Sequence, residues 1–159
     1  IVFDNNPSVL VDAKTEWMDG AVWQPFRKLV EDSMVCRDWF ELFVLQNLLI
    51  DSSLNPLIFD KFGAEIAKRG GLAYVVLCEF MNAWFSESSR WVDAVIGRVV
   101  SESDTNRTIV QNWISAWNPI VEISIAPLAD SLFETDGVEI TAQIAADVSK
   151  RLSTMNLTL

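Results

Sequence analysis

The chain has 159 residues and a formal net charge of −10 at pH 7, and half of its residues are apolar. This negative charge repels phosphate backbones and anionic lipid, so the composition disfavours nucleic-acid binding and membrane-surface roles. No apolar run approaches the roughly 18 residues of a membrane span. The length predicts one globular domain. The apolar surplus predicts that a partner covers part of its surface.

The first twenty residues show turn-forming pairs and no sustained hydrophobic period. Asn6-Pro7 and Asp19-Gly20 are typical of turns, so residues 1–20 are predicted to form an N-terminal arm or linker. Residues 21–135 are predicted to be a portion of a helical bundle, and residues 136–159 a C-terminal helix and tail. Because the sequence begins at Ile1, without an initiator Met, we interpret it as a processed or truncated piece of a longer protein.

A long helix is predicted from Trp23 onward. Pro25 is tolerated in a first helical turn, and apolar or small side chains then recur at spacings of three and four. The part written DWFELFVLQNLLI is apolar nearly all round, so we expect other helices or another chain to enclose it. Pro56 lacks an amide hydrogen and is expected to kink the helix. The predicted seam consists of Phe26, Leu29, Ser33, Cys36, Phe40, Phe43, Asn47, Ile50, Leu54 and Leu57.

Three further helical segments follow the first long one. They are predicted from Leu72 to about Val100, from about Asn106 onward, and from Val138 to Leu152. Gly70-Gly71 is interpreted as a helix break, and Pro119 and Pro127 are expected to bend or divide the third segment. No alternating pattern indicates a strand, so the predicted fold class is all-α, with long antiparallel helices in a bundle.

Aromatic and sulfur-containing side chains give the candidates for core and interface. Seven tryptophans at helical spacing are more typical of a core or a subunit interface than of a cofactor pocket. Cys36 and Cys78 form no C-x-x-C pair, so both are predicted to be reduced core thiols of a cytoplasmic protein. The candidate interface residues are Trp39, Phe40, Phe43, Trp84, Trp91, Trp113 and Trp117.

Histidine is absent from the whole sequence. Its absence removes the commonest general base near neutral pH and the commonest transition-metal ligand. Ser-His-Asp and Cys-His catalysis are therefore excluded within this chain, and no phosphate-binding glycine motif occurs. A carboxylate-only metal site or an Asp/Glu acid–base pair remains open, although the carboxylates mostly fall at exposed helical spacing. We predict that the chain has no catalytic residue of its own.

The order of several short motifs resembles the hydroxylase subunits of bacterial multicomponent diiron monooxygenases. The catalytic α subunit of that family has a long helix with a Glu ligand, then Asn-Pro-Leu, then a helix with Glu-x-x-His, then an Asn/Asp-rich turn. The segments RDWFELFVLQNLL, SSRWVDAV and NRTIVQNW are most similar to the β subunits of the phenol and toluene hydroxylase branch. The corresponding positions here are Ile50, Asn55-Pro56-Leu57-Ile58, Glu87-Ser88-Ser89-Arg90 and residues 101–106, within a similarity that spans about Trp23 to Leu132.

The resemblance implies a ferritin-like, ribonucleotide-reductase-like bundle of long helices. The family's β subunit is about twice as long, so this chain resembles its C-terminal half and would be incomplete without upstream helices. No metal is expected in this chain, because Ile50, Glu87 and Arg90 stand as vestigial ligand positions. Glu87 and Arg90 are expected to form an internal ion pair at the place of the metal. An exposed pair on a solvated face is the alternative.

The function implied is that of a non-catalytic structural β subunit in a soluble phenol-type aromatic monooxygenase of aromatic hydrocarbon catabolism. The implied partners are a diiron α subunit, a small γ subunit, a second αβγ protomer, a regulatory or coupling protein, and an NADH-dependent reductase with flavin and an iron–sulfur centre. The alternative is a stand-alone acidic helical adaptor, or a bundle that binds an apolar ligand among its tryptophans. Copurification with a larger metal-bearing partner distinguishes the two.

Overall fold

The computed structural model describes residues 6–133 and 136–159. Over these two ranges the chain contains no strand, so the all-α prediction is confirmed. The helices in the same ranges are α1 (Ser8–Asp19), α2 (Gln24–Ser33), α3 (Trp39–Lys68), α4 (Leu72–Glu102), α5 (Asp104–Phe133) and α6 (Gly137–Ser153).

Helix α1 occupies a segment in which no helix was predicted. None of its residues is buried, and a helix without a buried stripe shows no hydrophobic period. Its main aromatic contact is made by Trp17, whose ring centroid lies 6.0 Å from that of Trp23 and 6.4 Å from that of Phe26. The helical content of residues 8–19 corrects the sequence prediction, and residues 1–5 lie outside the described part of the chain.

The long helix predicted from Trp23 is in fact two helices. Helix α2 ends at Ser33 and α3 begins at Trp39. The Asp38 side chain accepts a hydrogen bond from the Phe40 amide at 2.8 Å, which caps one of the free amides at the start of α3. The apolar spacing continues across this break, so periodicity alone could not reveal it.

Helix α3 is the central element of the core. Leu45, Leu48 and Leu49 are fully buried in it. Contrary to the expectation from uninterrupted apolar runs, an 18-residue window of α3 has a mean hydropathy of 1.4 and is long and apolar enough to cross a membrane. Half of that window is buried inside the protein.

The backbone of α3 widens into π-helical turns at Leu45–Ile50 and Pro56–Lys61. Pro56 has no N–H to donate to the preceding turn, and a wider turn accommodates that loss. The disturbance expected at Pro56 therefore takes the form of a local change in helical pitch.

Helix α4 begins after the predicted glycine break and covers the predicted range. Gly70 has φ of 82°, in the left-handed region that favours glycine. At the other end, the Asn106 side-chain amide and the Arg107 guanidinium donate to the carbonyls of Val99 and Val100 at 3.2 and 3.3 Å. Side chains after α4 therefore provide hydrogen-bond donors for the free carbonyl groups at the end of this helix.

The segment with Pro119 and Pro127 was predicted to bend or to divide. Helix α5 continues through both prolines, so the division is not found. Each proline removes one backbone hydrogen bond, but Val121, Ile125 and Leu128 between and beyond them are buried in the core, and this burial holds the segment together. Helix α6 has the predicted stripe, with Ile144, Val148 and Leu152 buried.

Candidate functional site

The three proposed vestigial ligand positions do not meet in the structure. Ile50 lies in the hydrophobic core and is 2 % exposed. Glu87 and Arg90 lie on the outer side of α4, where the Glu87 side chain is 77 % and the Arg90 side chain 72 % exposed. The two side chains form an ion pair with each other. Within the described residues the predicted enclosure of this pair is thus not found, and the exposed alternative is.

Because the pair is exposed, replacing Arg90 by Ala is expected to change the free energy of unfolding of this chain by less than about 0.5 kcal/mol. Exposed ion pairs are screened by water and lose side-chain entropy when they form. Chemical denaturation of the purified chain and its variant measures the difference. A loss of several kcal/mol would show that Glu87 is left in a desolvated environment.

An internal ion pair does occur, between Arg151 of α6 and Asp93 of α4. The Arg151 Nε donates to Asp93 Oδ1 at 2.7 Å, and the guanidinium also donates to the Ser89 carbonyl at 3.3 Å and to the Ser52 hydroxyl of α3. The Arg151 side chain is 13 % and the Asp93 side chain 30 % exposed. One guanidinium therefore joins three helices, and Asp93 matches its charge.

Asp51 is a second carboxyl group close enough to Arg151 to be affected by its charge. Burial raises the pKa of the Asp51 carboxyl, while the hydrogen bond from the Gln46 side-chain amide at 3.0 Å and the positive charge of Arg151 lower it. Burial prevails, so the folded state holds the proton of Asp51 more tightly than the unfolded state does.

Replacing Asp51 by Asn is expected to stabilise the protein at neutral pH. A carboxyl whose pKa is raised by folding costs stability once the pH exceeds that pKa, and Asn removes this cost while keeping an acceptor for Gln46. The gain should shrink as the pH falls through the raised pKa towards the ordinary value of 3.8. Denaturation curves across this range, with the exposed Asp147→Asn as control, measure it. A variant less stable at neutral pH would contradict the assignment.

The aromatic residues proposed for an interface divide into two groups. Phe40, Phe43, Trp113 and Trp117 belong to or pack against the core. Among them, Phe40 and Phe43 stack with ring centroids 5.6 Å apart, and the Trp117 indole N–H donates to Glu41 at 2.7 Å. These four side chains contribute to internal packing. Their role in an interface stays a prediction.

The second group is exposed and includes Trp39, Trp84 and Trp91. Two of these tryptophans lie on α4 within a row of exposed apolar side chains on one side of that helix. We name this row the α4 outer stripe, and it consists of Leu72, Val76, Phe80, Trp84 and Trp91. The Trp91 ring also packs edge-to-face against Phe43 of α3, with ring centroids 5.6 Å apart. Exposed apolar side chains that gather on one side of a helix are typical of interaction surfaces.

A groove lies between α5 and α6. Its volume is about 410 Å³, and apolar side chains such as Ile123, Val138 and Ala145 form its walls. Its polar groups include Asn118 and Glu122, whose side chains are hydrogen-bonded to each other at 2.9 Å. This arrangement can accept an apolar group but presents no nucleophile with an adjacent base.

The side chains at Ile50, Glu87 and Arg90, the three proposed vestigial ligand positions, do not fit a pair of irons. Such a centre needs several carboxylates and imidazoles, whereas here one Glu is paired with an Arg and the third position is an isoleucine. In residues 6–133 and 136–159, no group of three or more His, Cys, Asp or Glu residues is placed to hold a metal ion.

Comparison with known proteins identifies the family. Residues 3–103 match the family described as Methane/Phenol/Alkene Hydroxylase. The chain is 40% identical over 148 residues to the phenol 2-monooxygenase oxygenase component DmpL of Pseudomonas sp. strain CF600. The alignment covers 93% of this chain and 44% of that protein. It is 30% identical over 154 residues to the oxygenase component MhpL of Acinetobacter pittii, covering 97% of this chain and 46% of that protein.

The fold agrees with a solved relative. The crystal structure of xenon-pressurized phenol hydroxylase from Pseudomonas sp. OX1 superimposes with a TM-score of 0.90 at 39% identity, covering 97% of this chain and 46% of that chain. The all-α, ferritin-like hydroxylase fold predicted from the sequence is thereby confirmed. The chain spans less than half the length of these relatives. It belongs to the methane, phenol and alkene hydroxylase family, as a phenol hydroxylase-type subunit.

Proposed function

We propose that this chain is a structural, non-catalytic part of the small (β) subunit of a phenol-type diiron monooxygenase, in which a separate larger α subunit carries the irons. The observation that carries the proposal is the donor set on α4. At the position of the family's Glu-x-x-His motif, Arg90 stands in place of the imidazole and forms an ion pair with Glu87. A guanidinium is always protonated and cannot ligate a metal.

The same proposal covers the assembly and its cofactors. The chain contributes helices that support the α subunit, together with a small γ subunit, a second αβγ protomer and a regulatory protein. Electrons come from NADH through a reductase with flavin and an iron–sulfur centre, and the whole system is cytoplasmic. What supports this is membership of a family whose relatives are named as oxygenase components of phenol 2-monooxygenase.

The test is to purify the hydroxylase through an affinity tag on this chain and to measure iron in each separated subunit. Iron is expected only with a larger copurifying subunit that carries Glu-x-x-His motifs. The variant Glu87→Gln should leave the iron content of the assembly unchanged, because Glu87 does not ligate iron in this proposal. Two irons per copy of this chain, or a chain that purifies without any larger subunit, would overturn it.

A further inference from the structure

The groove between α5 and α6 extends from the surface of the protein to its core. Ile123 and Val138 contribute to its walls and are 70 % and 75 % exposed. Other lining residues are buried, among them Ile144 of α6 and Ser53 of α3. The volume of about 410 Å³ lies within the range of small-molecule sites, which is roughly 300–1,000 Å³. The groove therefore has the depth and the size to hold a small ligand.

One polar side chain in this apolar groove has an unused acceptor. Asn118 is 9 % exposed, and its Nδ2 donates to the Glu122 Oε1 at 2.9 Å. Because a carboxylate accepts hydrogen bonds, this contact also fixes which end of the Asn118 amide is the oxygen. No side chain or backbone group of the described residues donates to the Asn118 Oδ1. An acceptor held at a fixed place among apolar walls orients a ligand that can donate to it.

The other polar groups of the groove add acceptors and negative charge. The hydroxyl hydrogens of Ser53 and Thr141 are donated to backbone carbonyls of their own helices, so neither is available to a ligand. Glu122 brings a carboxylate to the lining, and the whole chain has a formal net charge of −10. An anionic ligand is therefore repelled, and a ligand without a donor leaves the Asn118 Oδ1 unused.

We propose that this groove binds a small neutral molecule with an apolar body and a hydroxyl group, such as a phenol, whose hydroxyl donates to the Asn118 Oδ1. The apolar body packs against the walls that include Ile123 and Val138. A helix with its side chains is about 10–12 Å across, so a space of this volume suits one small molecule better than a helix. The proposal depends on residues of this chain alone, so it holds or fails independently of where the irons of the assembly lie.

The location of the ligand is tested by soaking crystals of the assembled hydroxylase component with 4-iodophenol, whose iodine gives an anomalous signal. The expected result is an iodine peak in the groove, with the phenol oxygen within hydrogen-bond distance of the Asn118 Oδ1. A groove without iodine would overturn the proposal. So would a groove that is filled by side chains of another segment or another subunit.

Binding in solution is measured by fluorine NMR of the same assembly with 4-fluorophenol. Ala145 lines the groove, so Ala145→Phe should fill it and weaken binding there by roughly 10-fold or more. The matched control is Ala146→Phe, because Ala146 is exposed on the same helix and does not line the groove. Other sites in the assembly contribute equally to both variants, so the difference between them measures the groove. Equal binding would mean that the ligand enters at crystal concentration only, and would overturn the proposal.

The hydroxyl contact is tested with Asn118→Leu and two further probes. This variant should weaken the binding of 4-fluorophenol by roughly 3- to 10-fold, because one hydrogen bond is lost. The binding of 4-fluorotoluene, which has no hydroxyl, should not weaken, whereas a collapsed groove would weaken both probes equally. The anion 4-fluorobenzoate should show no binding that depends on Ala145. An equal loss for the first two probes, or binding of 4-fluorobenzoate in the groove, would contradict the proposed ligand class.

Discussion

Replacing Arg151 by Met is expected to lower the free energy of unfolding by about 2–4 kcal/mol. The Arg151 guanidinium donates to Asp93, to the Ser89 carbonyl and to Ser52, and it is almost completely shielded from water. Methionine fills a similar space but leaves the Asp93 carboxylate without its positive partner. Chemical denaturation of the purified protein measures the loss.

A matched control and a double variant separate the charge effect from the packing effect. Arg98→Met removes an arginine from an exposed pair with Glu102 on α4 and is expected to cost less than about 0.5 kcal/mol. Asp93→Leu combined with Arg151→Met should recover much of the loss, because an apolar pair needs no compensating charge. If the double variant is as unstable as the two single losses added together, the ion pair is not the source of the effect.

Replacing Leu49 by Ala is expected to cost about 2–5 kcal/mol, since Leu49 is fully buried at the centre of α3 and its removal leaves a cavity among tightly packed helices. Leu42→Ala in the same helix removes the same atoms from a partly exposed position and should cost less than about 1 kcal/mol in the isolated chain. Thermal or urea denaturation of both variants provides the comparison. Equal losses would mean that α3 is not the centre of the core.

The helices that were predicted correctly carry their own boundary signals. Gly70 marks the start of α4, the polar run beginning at residue 101 marks its end, and α6 has a regular stripe ending at Leu152. The errors occurred where local pattern and tertiary packing differ. Helix α1 has no buried stripe, and the apolar spacing ran through the break capped by Asp38. Of the two outcomes predicted for Pro119 and Pro127, a bend or a division, the division is excluded, because buried residues hold helix α5 together.

The candidate site was predictable only in part. The order of the motifs identified the family, and the replacement of an imidazole by Arg90 is visible in the sequence itself. In this chain by itself the Glu87–Arg90 pair is exposed, and an enclosed ion pair lies instead between Asp93 and Arg151. Glu87 and Arg90 are three residues apart, which is a local signal, whereas Asp93 and Arg151 are 58 residues apart and no short pattern connects them.

The sequence by itself determined the helical class, the family and the absence of histidine ligands, because these depend on residue types and on spacing along one helix. The tertiary structure alone decided which apolar side of α4 is covered and which charges are enclosed. Spacing places residues on a common side of a helix, but it does not specify which helix, if any, packs against that side. That is why Arg151 proved to be internal, whereas Arg90 and the α4 outer stripe are exposed.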